Sequence, residues 1–232
     1  FPVNKNRDSS SFFSIQADIS RGDEVSPEQE QRWIENSVNS DALCDHIRQH
    51  AAEYDLLIAG PYLFGVPWFA AQILPEKTLL LPCLHDEPFA RLSIMKRLFH
   101  AVRGILYNAE PEARLAERLY ELAPAKGRVV GMGLDAFDAN PDAFRQKFGI
   151  RQPFVMYSGR RETGKGTPLL THYLSTFRQR TGRAITLVCT GSGEIEAPPD
   201  MRPHIVDLGF VSEEDKHNAM AAATAFIHPS TF

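Results

Sequence analysis

Arg160 and Lys165 stand five positions apart in a turn that also holds Gly159, Gly164 and Gly166. Glycine lets backbone approach a ligand closely, and two cations at this spacing can flank one diphosphate. The turn follows an apolar run, Phe154-Val155-Met156, that reads as a strand, and precedes a segment from Thr167 to Arg178 that reads as a helix. At a helix start the free N–H groups point at an anion and the helix dipole favours negative charge. This combination suits the holding of a phosphorylated ligand. The plain alternative is a solvated basic turn that holds nothing.

The elements around this turn repeat one pattern. Leu56–Ala59 and Thr78–Cys83 read as buried strands, followed by Gly104–Tyr107 with a capping Asn108, and by Arg128–Val130. Helices are expected from Ser26-Pro27, from about Asp41 to Glu53, over Pro67–Gln72, through Ile94 and Leu98, and from about Pro111 to Leu122. Residues 1–25, serine-rich, read as loop with a short strand. Residues 131–150, with Gly131, Gly133, Pro141 and Gly149, read as a linker. The alternation resumes with strands Phe154–Tyr157, Ile185–Cys189 and His204–Leu208, and Ser212 caps a helix of Glu213 to Ala223. Strands alternating with helices on both sides of a linker imply an α/β protein with two Rossmann-like parallel sheets. Residues 1–132 form the first lobe, 133–150 the linker and 151–232 the second lobe. Ligands collect at the carboxyl ends of such strands. The glycine turns after residues 158, 190 and 208 all lie there, which predicts one crevice between the lobes.

Composition narrows the chemistry further. The 232 residues carry a net charge of −4, which argues against a nucleic-acid partner. No run approaches the roughly 18 apolar residues that span a bilayer. Cys44, Cys83 and Cys189 are few and far apart, so they read as core thiols in a reducing, cytoplasmic compartment. The histidines show no metal-ligand spacing.

A P-loop competes for the basic turn, because Gly159, Gly164 and Lys165 match G-x-x-x-x-G-K. Gly166 then stands where Ser or Thr would ligate Mg²⁺, Thr167 comes one place late, and no later apolar run is expected to end in a metal-holding aspartate. Phosphoryl transfer is therefore the lesser reading.

Six segments in order are similar to the retaining glycosyltransferases of the group 1 (family 4) type, which have the two-lobed GT-B architecture. They are Gly104–Asn108, Gly133-Leu134-Asp135, Ser158-Gly159-Arg160…Lys165-Gly166, Thr190-Gly191-Ser192-Gly193, Val206–Val211 and His228–Phe232. The resemblance covers residues 104–232; the earlier part, with Leu84–Pro88, fits less specifically. It implies a hexosyltransferase that moves sugar from a UDP- or GDP-linked donor to a glycan, lipid or small-molecule acceptor in carbohydrate biosynthesis. No metal or other cofactor is implied, and the intact protein would associate peripherally with membrane. Arg160 and Lys165 match the pair that binds the donor diphosphate. Gly159, Gly191 and Gly193 match positions where backbone nears the nucleotide, and Phe210 and Val211 match the contact to the nucleobase. His85 corresponds to a histidine near the transferred sugar. Arg161 and Glu162 are read as surface residues, and Asp86 and Glu87 as caps of the following helix. The resemblance also implies truncation at both ends. A glycine loop would precede Phe1 and an E-x₇-E carboxylate pair would follow Phe232, so the chain alone is expected to be inactive. The alternative is a truncated or degenerate nucleotide-binding scaffold without catalysis.

Overall fold

The computed structural model describes residues 1–230; Thr231 and Phe232, the end of the last matching segment, lie outside the described residues. The chain divides into two compact units, Phe1–Gly133 and the residues from Leu134 on.

In the first unit helices α1 (Ser9–Arg21), α2 (Pro27–Glu35) and α3 (Asp41–Gln49) precede the alternating part. Strand β1 (Leu57–Ala59), helix α4 (Gly65–Ala71), strand β2 (Thr78–Leu80), helix α5 (Ser93–Ala101), strand β3 (Gly104–Tyr107), helix α6 (Glu110–Tyr120) and strand β4 (Gly127–Val129) follow. The strands form one parallel sheet in the order β1-β2-β3-β4. The expected capping box is present at α2: Gln29 N–H donates to Ser26 Oγ, and Ser26 N–H donates to Gln29 Oε1.

Several expectations need correction here. Residues 9–21 are helix, not loop, because Asp8 accepts from the Ser11 N–H and Ile15 and Ile19 bury one face. Phe12 from the same face stacks on Trp33. Ile58 is exposed, since β1 lies at the sheet edge. Asn108 does not cap α6; its side chain donates instead to Cys83 Sγ at 3.4 Å. Nor do Asp86 and Glu87 cap the next helix. Asp86 pairs with Arg91, and Glu87 accepts from the Tyr62 hydroxyl. The cap of α5 comes from far away in sequence. Glu30, buried on α2, accepts from Ser93 N–H, Ser93 Oγ–H and Ile94 N–H.

In the second unit helix α7 (Pro141–Phe148) leads into strand β5 (Phe154–Ser158), helix α8 (Thr167–Thr181), strand β6 (Thr186–Thr190), strand β7 (Ile205–Asp207), helix α9 (Glu213–Ala222) and strand β8 (Ala225–Phe226). Helix α7 lies inside the stretch read as linker. Asn140 caps its start, Pro141 opens it, Gly149 ends it, and Phe144 is buried against Phe154. The parallel sheet has the order β7-β6-β5-β8. Strand side chains alternate between faces. Phe154 and Met156 accordingly join a core with Phe144 and Ala219, while Val155 and Tyr157 join another with Leu170 and Leu174. No helix among the described residues is long and apolar enough to cross a membrane.

Cys83 also departs from expectation. It is exposed and left-handed at φ 53°, whereas Cys44 and Cys189 are buried. Burial raises both buried thiols, Cys189 to about 11. An alkylating reagent at mildly alkaline pH should add once to the native chain, at Cys83, and three times after denaturation; intact mass spectrometry reads the count. Glu30→Ala should cost about 2–4 kcal/mol, since three donors lose a charged acceptor. Both tryptophans, Trp33 and Trp68, lie in the first unit, so their fluorescence during urea unfolding reports the loss.

Candidate functional site

The strand order of the second sheet reverses at β5. From β5 the chain builds outward through β6 to β7, then returns to add β8 on the other side. Such a reversal splays the connecting loops apart and leaves a crevice at the carboxyl ends of the strands. A cavity of about 480 Å³ lies at the carboxyl ends of β5, β6 and β7, lined by Ser158, Gly159, Arg160, Thr190, Gly191, Ser192, Phe210 and Val211 together with Glu213 and Lys216 of α9.

The three loops that make this cavity are tied to each other through backbone. Gly159 N–H donates to Thr190 O at 3.0 Å, Arg161 N–H to Ser192 O at 2.8 Å, and Gly191 N–H to Gly209 O at 2.7 Å. Close approach requires glycine at Gly191. A Cβ there would sit 2.3 Å from Gly159 O, and the residue has φ 106°.

Arg161, read from sequence as a surface residue, is the buried clamp of the site. Its side chain is 2% exposed. The guanidinium donates to Gly191 O at 3.2 Å and Gly193 O at 2.8 Å, and it pairs with Asp207. Asp207 Oδ1 also accepts from Gly209 N–H at 2.9 Å. One planar fork thus fixes the β5, β6 and β7 loops at once. Asp207 closes the apolar strand β7, but its carboxylate is engaged by Arg161 and Gly209 N–H. Arg161 Nε is buried without a hydrogen-bond partner among the described residues.

Arg160 and Lys165 are placed differently. The Arg160 carbonyl accepts from the Tyr157 hydroxyl at 2.6 Å, while its side chain is 72% exposed and, among the described residues, pairs with Glu162 at 3.7 Å. Lys165 is half-buried in a short turn, Thr163–Lys165, and its ammonium has no hydrogen bond or ion pair among the described residues. Gly166, left-handed at φ 68°, turns the chain into α8 and packs against the carbonyl of Pro229. Thr167, the hydroxyl that a P-loop would turn to a metal, is buried and donates to Glu162 O at 3.3 Å.

Gly159, Arg160, Gly191, Phe210 and Val211 are therefore gathered on one cavity, with Phe210 84% exposed. Lys165 and Gly193 lie outside its lining. His85 belongs to the first unit, exposed in the loop after β2. That loop has its own anchor: buried Glu112 accepts from Leu84 N–H at 2.7 Å and Asn108 N–H at 2.6 Å. Sequence reasoning missed Glu112, Arg161, Glu213 and Lys216. An arginine inside a glycine turn with an aspartate closing a later strand was the available signal for Arg161.

No family model matches the chain, and no curated protein matches its sequence. Solved structures do resemble it. A glycosyltransferase from Rickettsia africae ESF-5 superimposes with a TM-score of 0.58 at 12% identity, covering 99% of this chain and 58% of that one. The α,α-trehalose 6-phosphate synthase of Burkholderia multivorans gives 0.54 at 14% identity, with 97% and 63% covered. The N-terminal domain of the Candida albicans trehalose-6-phosphate phosphatase gives 0.63 at 10% identity, with 98% and 62% covered. The likeness is one of fold: two Rossmann-like α/β units of the GT-B kind. The chain spans about three fifths of the length of the structures it matches.

Arg161→Leu should destabilise the second unit by about 2–3 kcal/mol, because two carbonyls and a carboxylate lose their common donor. Arg161→Lys should recover less than half of that, since an ammonium cannot reproduce the planar fork. Thermal unfolding followed by circular dichroism measures both.

Proposed function

We propose that the chain is the donor-binding part of a retaining, metal-independent glycosyltransferase of the group 1 type. The observation that carries this reading is the cavity at the carboxyl ends of β5, β6 and β7, with the exposed Arg160 on its wall and Lys165, a cation with no ion pair among the described residues, in the same loop. A nucleotide-linked sugar would lie with its diphosphate toward these cations and its nucleoside toward the 209–211 turn. As the bond from the anomeric carbon to the diphosphate oxygen breaks, the sugar becomes oxocarbenium-like and negative charge grows on the leaving oxygen. Cations already in place stabilise that charge more than the ground state, which lowers the barrier. Backbone N–H groups and two cations supply the stabilisation that a metal supplies elsewhere. His85 is assigned to a hydroxyl of the transferred sugar, as neutral imidazole offers both a donor and an acceptor. The acceptor is a glycan, lipid or small molecule, and the setting is cytoplasmic with peripheral membrane contact.

Losing one leaving-group contact of this kind costs about 3–4 kcal/mol, roughly a hundred- to thousand-fold in rate. Lys165→Ala in the protein that contains this chain should lower kcat by that order with the melting temperature unchanged. Turnover within threefold of the parent would remove Lys165 from the site. Activity should persist in EDTA and consume a nucleotide sugar rather than ATP. Nucleotide binding without turnover under any donor and acceptor would favour the non-catalytic scaffold.

A further inference from the structure

The first unit holds a cavity of about 640 Å³ that the sugar-transfer reading does not use. Four helices supply it. Gln31 comes from α2, Arg48 from α3 and Arg97 from α5, while Trp68 and Phe69 of α4 are joined by Gln72 and Ile73 just past its last turn. Helix α4 runs from the carboxyl end of β1 back to the amino end of β2, so Gln72 and Ile73 lie toward the amino ends of the strands. Active-site ligands of such sheets gather at the other ends. Within its own unit the cavity is thus separate from any site built on the loops after β2 and β3.

Part of its lining is apolar. The Trp68 and Phe69 rings meet edge to face with centroids 4.8 Å apart at 84°, and Ile73 adds aliphatic surface. Trp68 is buried and its indole N–H is directed to Ile94 O at 3.5 Å, so it offers carbon rather than a donor. The two amides are engaged as well: Gln31 Nε2 donates to Glu35 Oε1 at 2.8 Å, and Gln72 Nε2 to Trp68 O at 2.9 Å. The strong donors left are the two guanidinium groups. Arg97 has no ion pair among the described residues and reaches Ser93 Oγ only at 3.5 Å. Arg48 pairs with Asp45 at 2.8 Å, but both side chains are mostly exposed, where such a pair is worth little. Among the described residues no carboxylate lines the cavity. A lone surface arginine needs no ligand. Two of them sharing one acid-free cavity raise its potential and favour an anion. A planar guanidinium matches phosphate oxygens in pairs, and a phosphate monoester brings roughly two negative charges to the two positive ones. The aromatic and aliphatic surface then suits the group that the phosphate carries.

We propose that this cavity is a second ligand site, which binds a phosphate monoester carried on an apolar body. Arg48 and Arg97 hold the phosphate, and Phe69 and Ile73 receive the body. This site does not depend on the second unit being a donor site. Isothermal titration of the folded chain with hexyl phosphate, inorganic phosphate and hexanol tests it. Hexyl phosphate should bind at least about tenfold tighter than either part alone, because apolar burial and charge-assisted hydrogen bonds add. Arg97→Met should weaken hexyl phosphate about tenfold, and Arg48→Met by less, since Asp45 already shares that charge. Both side chains are exposed, so circular dichroism should show the melting temperature of each variant unchanged. The source of the phosphate is read separately. Co-sedimentation with phosphatidylcholine vesicles containing phosphatidic acid, lost in Arg97→Met, marks a lipid headgroup; hexyl phosphate binding without vesicle capture marks a soluble ester. Inorganic phosphate or hexanol binding as tightly as hexyl phosphate overturns the site, and so does equal affinity in the parent and both arginine variants. Failure of hexyl phosphate to bind overturns it too, whatever nucleotides do in the second unit.

Discussion

The buried guanidinium of Arg161 is the constraint on which the second unit's binding face depends. Loops at the carboxyl ends of parallel strands have no ladder to hold them, and three of them meet here. The loop after β6 brings the carbonyls of Gly191 and Gly193, and β7 ends in the carboxylate of Asp207. Arg161 satisfies both carbonyls and the carboxylate in one plane, and its charge is neutralised by Asp207 at the mouth. A buried charge without such partners would be strongly unfavourable. The loops of the cavity wall are thus joined by a charge that is compensated locally. Arg160, its neighbour in sequence, is exposed and meets Glu162 at 3.7 Å. Adjacent arginines thus sit in opposite settings, one buried and one exposed.

The first unit solves the same problem with the opposite charge. Glu112 is a buried carboxylate that accepts from the N–H of Leu84 and of Asn108, joining the loops after β2 and β3. Glu30 repeats the device at the start of α5. Where strand or helix ends leave N–H groups, a carboxylate holds them; where loops leave carbonyls, a guanidinium does. Each unit carries its own anchor.

Much of this is legible in the residues. Alternating apolar runs and glycine turns specify two parallel sheets, and the glycines and cations of the turn at 158–166 point to an anion by their chemistry alone. Gly159, Gly191, Phe210 and Val211 share one cavity because strand ends in such a sheet converge, which periodicity can reveal. Other features are hidden. Arg161 and Arg160 are identical in composition, and only the direction of the side chain separates clamp from ligand contact. The serine run at 9–11 suggests loop because serine is a poor helix former, yet Phe12, Ile15 and Ile19 recur at helical spacing and burial decides the outcome. Cys83 follows an apolar run, but a left-handed turn at that residue sends it outward. Helix α7 is obscured by glycine and proline, although those residues mark its two ends.

The Tyr157 hydroxyl bond to the Arg160 carbonyl divides that arginine into a fixed root and a loose tip. The backbone is pinned to a buried ring, so no main-chain freedom remains to be surrendered on ligation. An exposed arginine side chain would surrender roughly 2 kcal/mol of rotamer entropy on settling against an anion. Were an anion to shift as its charge grew, such an arm could follow it from a root held by Tyr157.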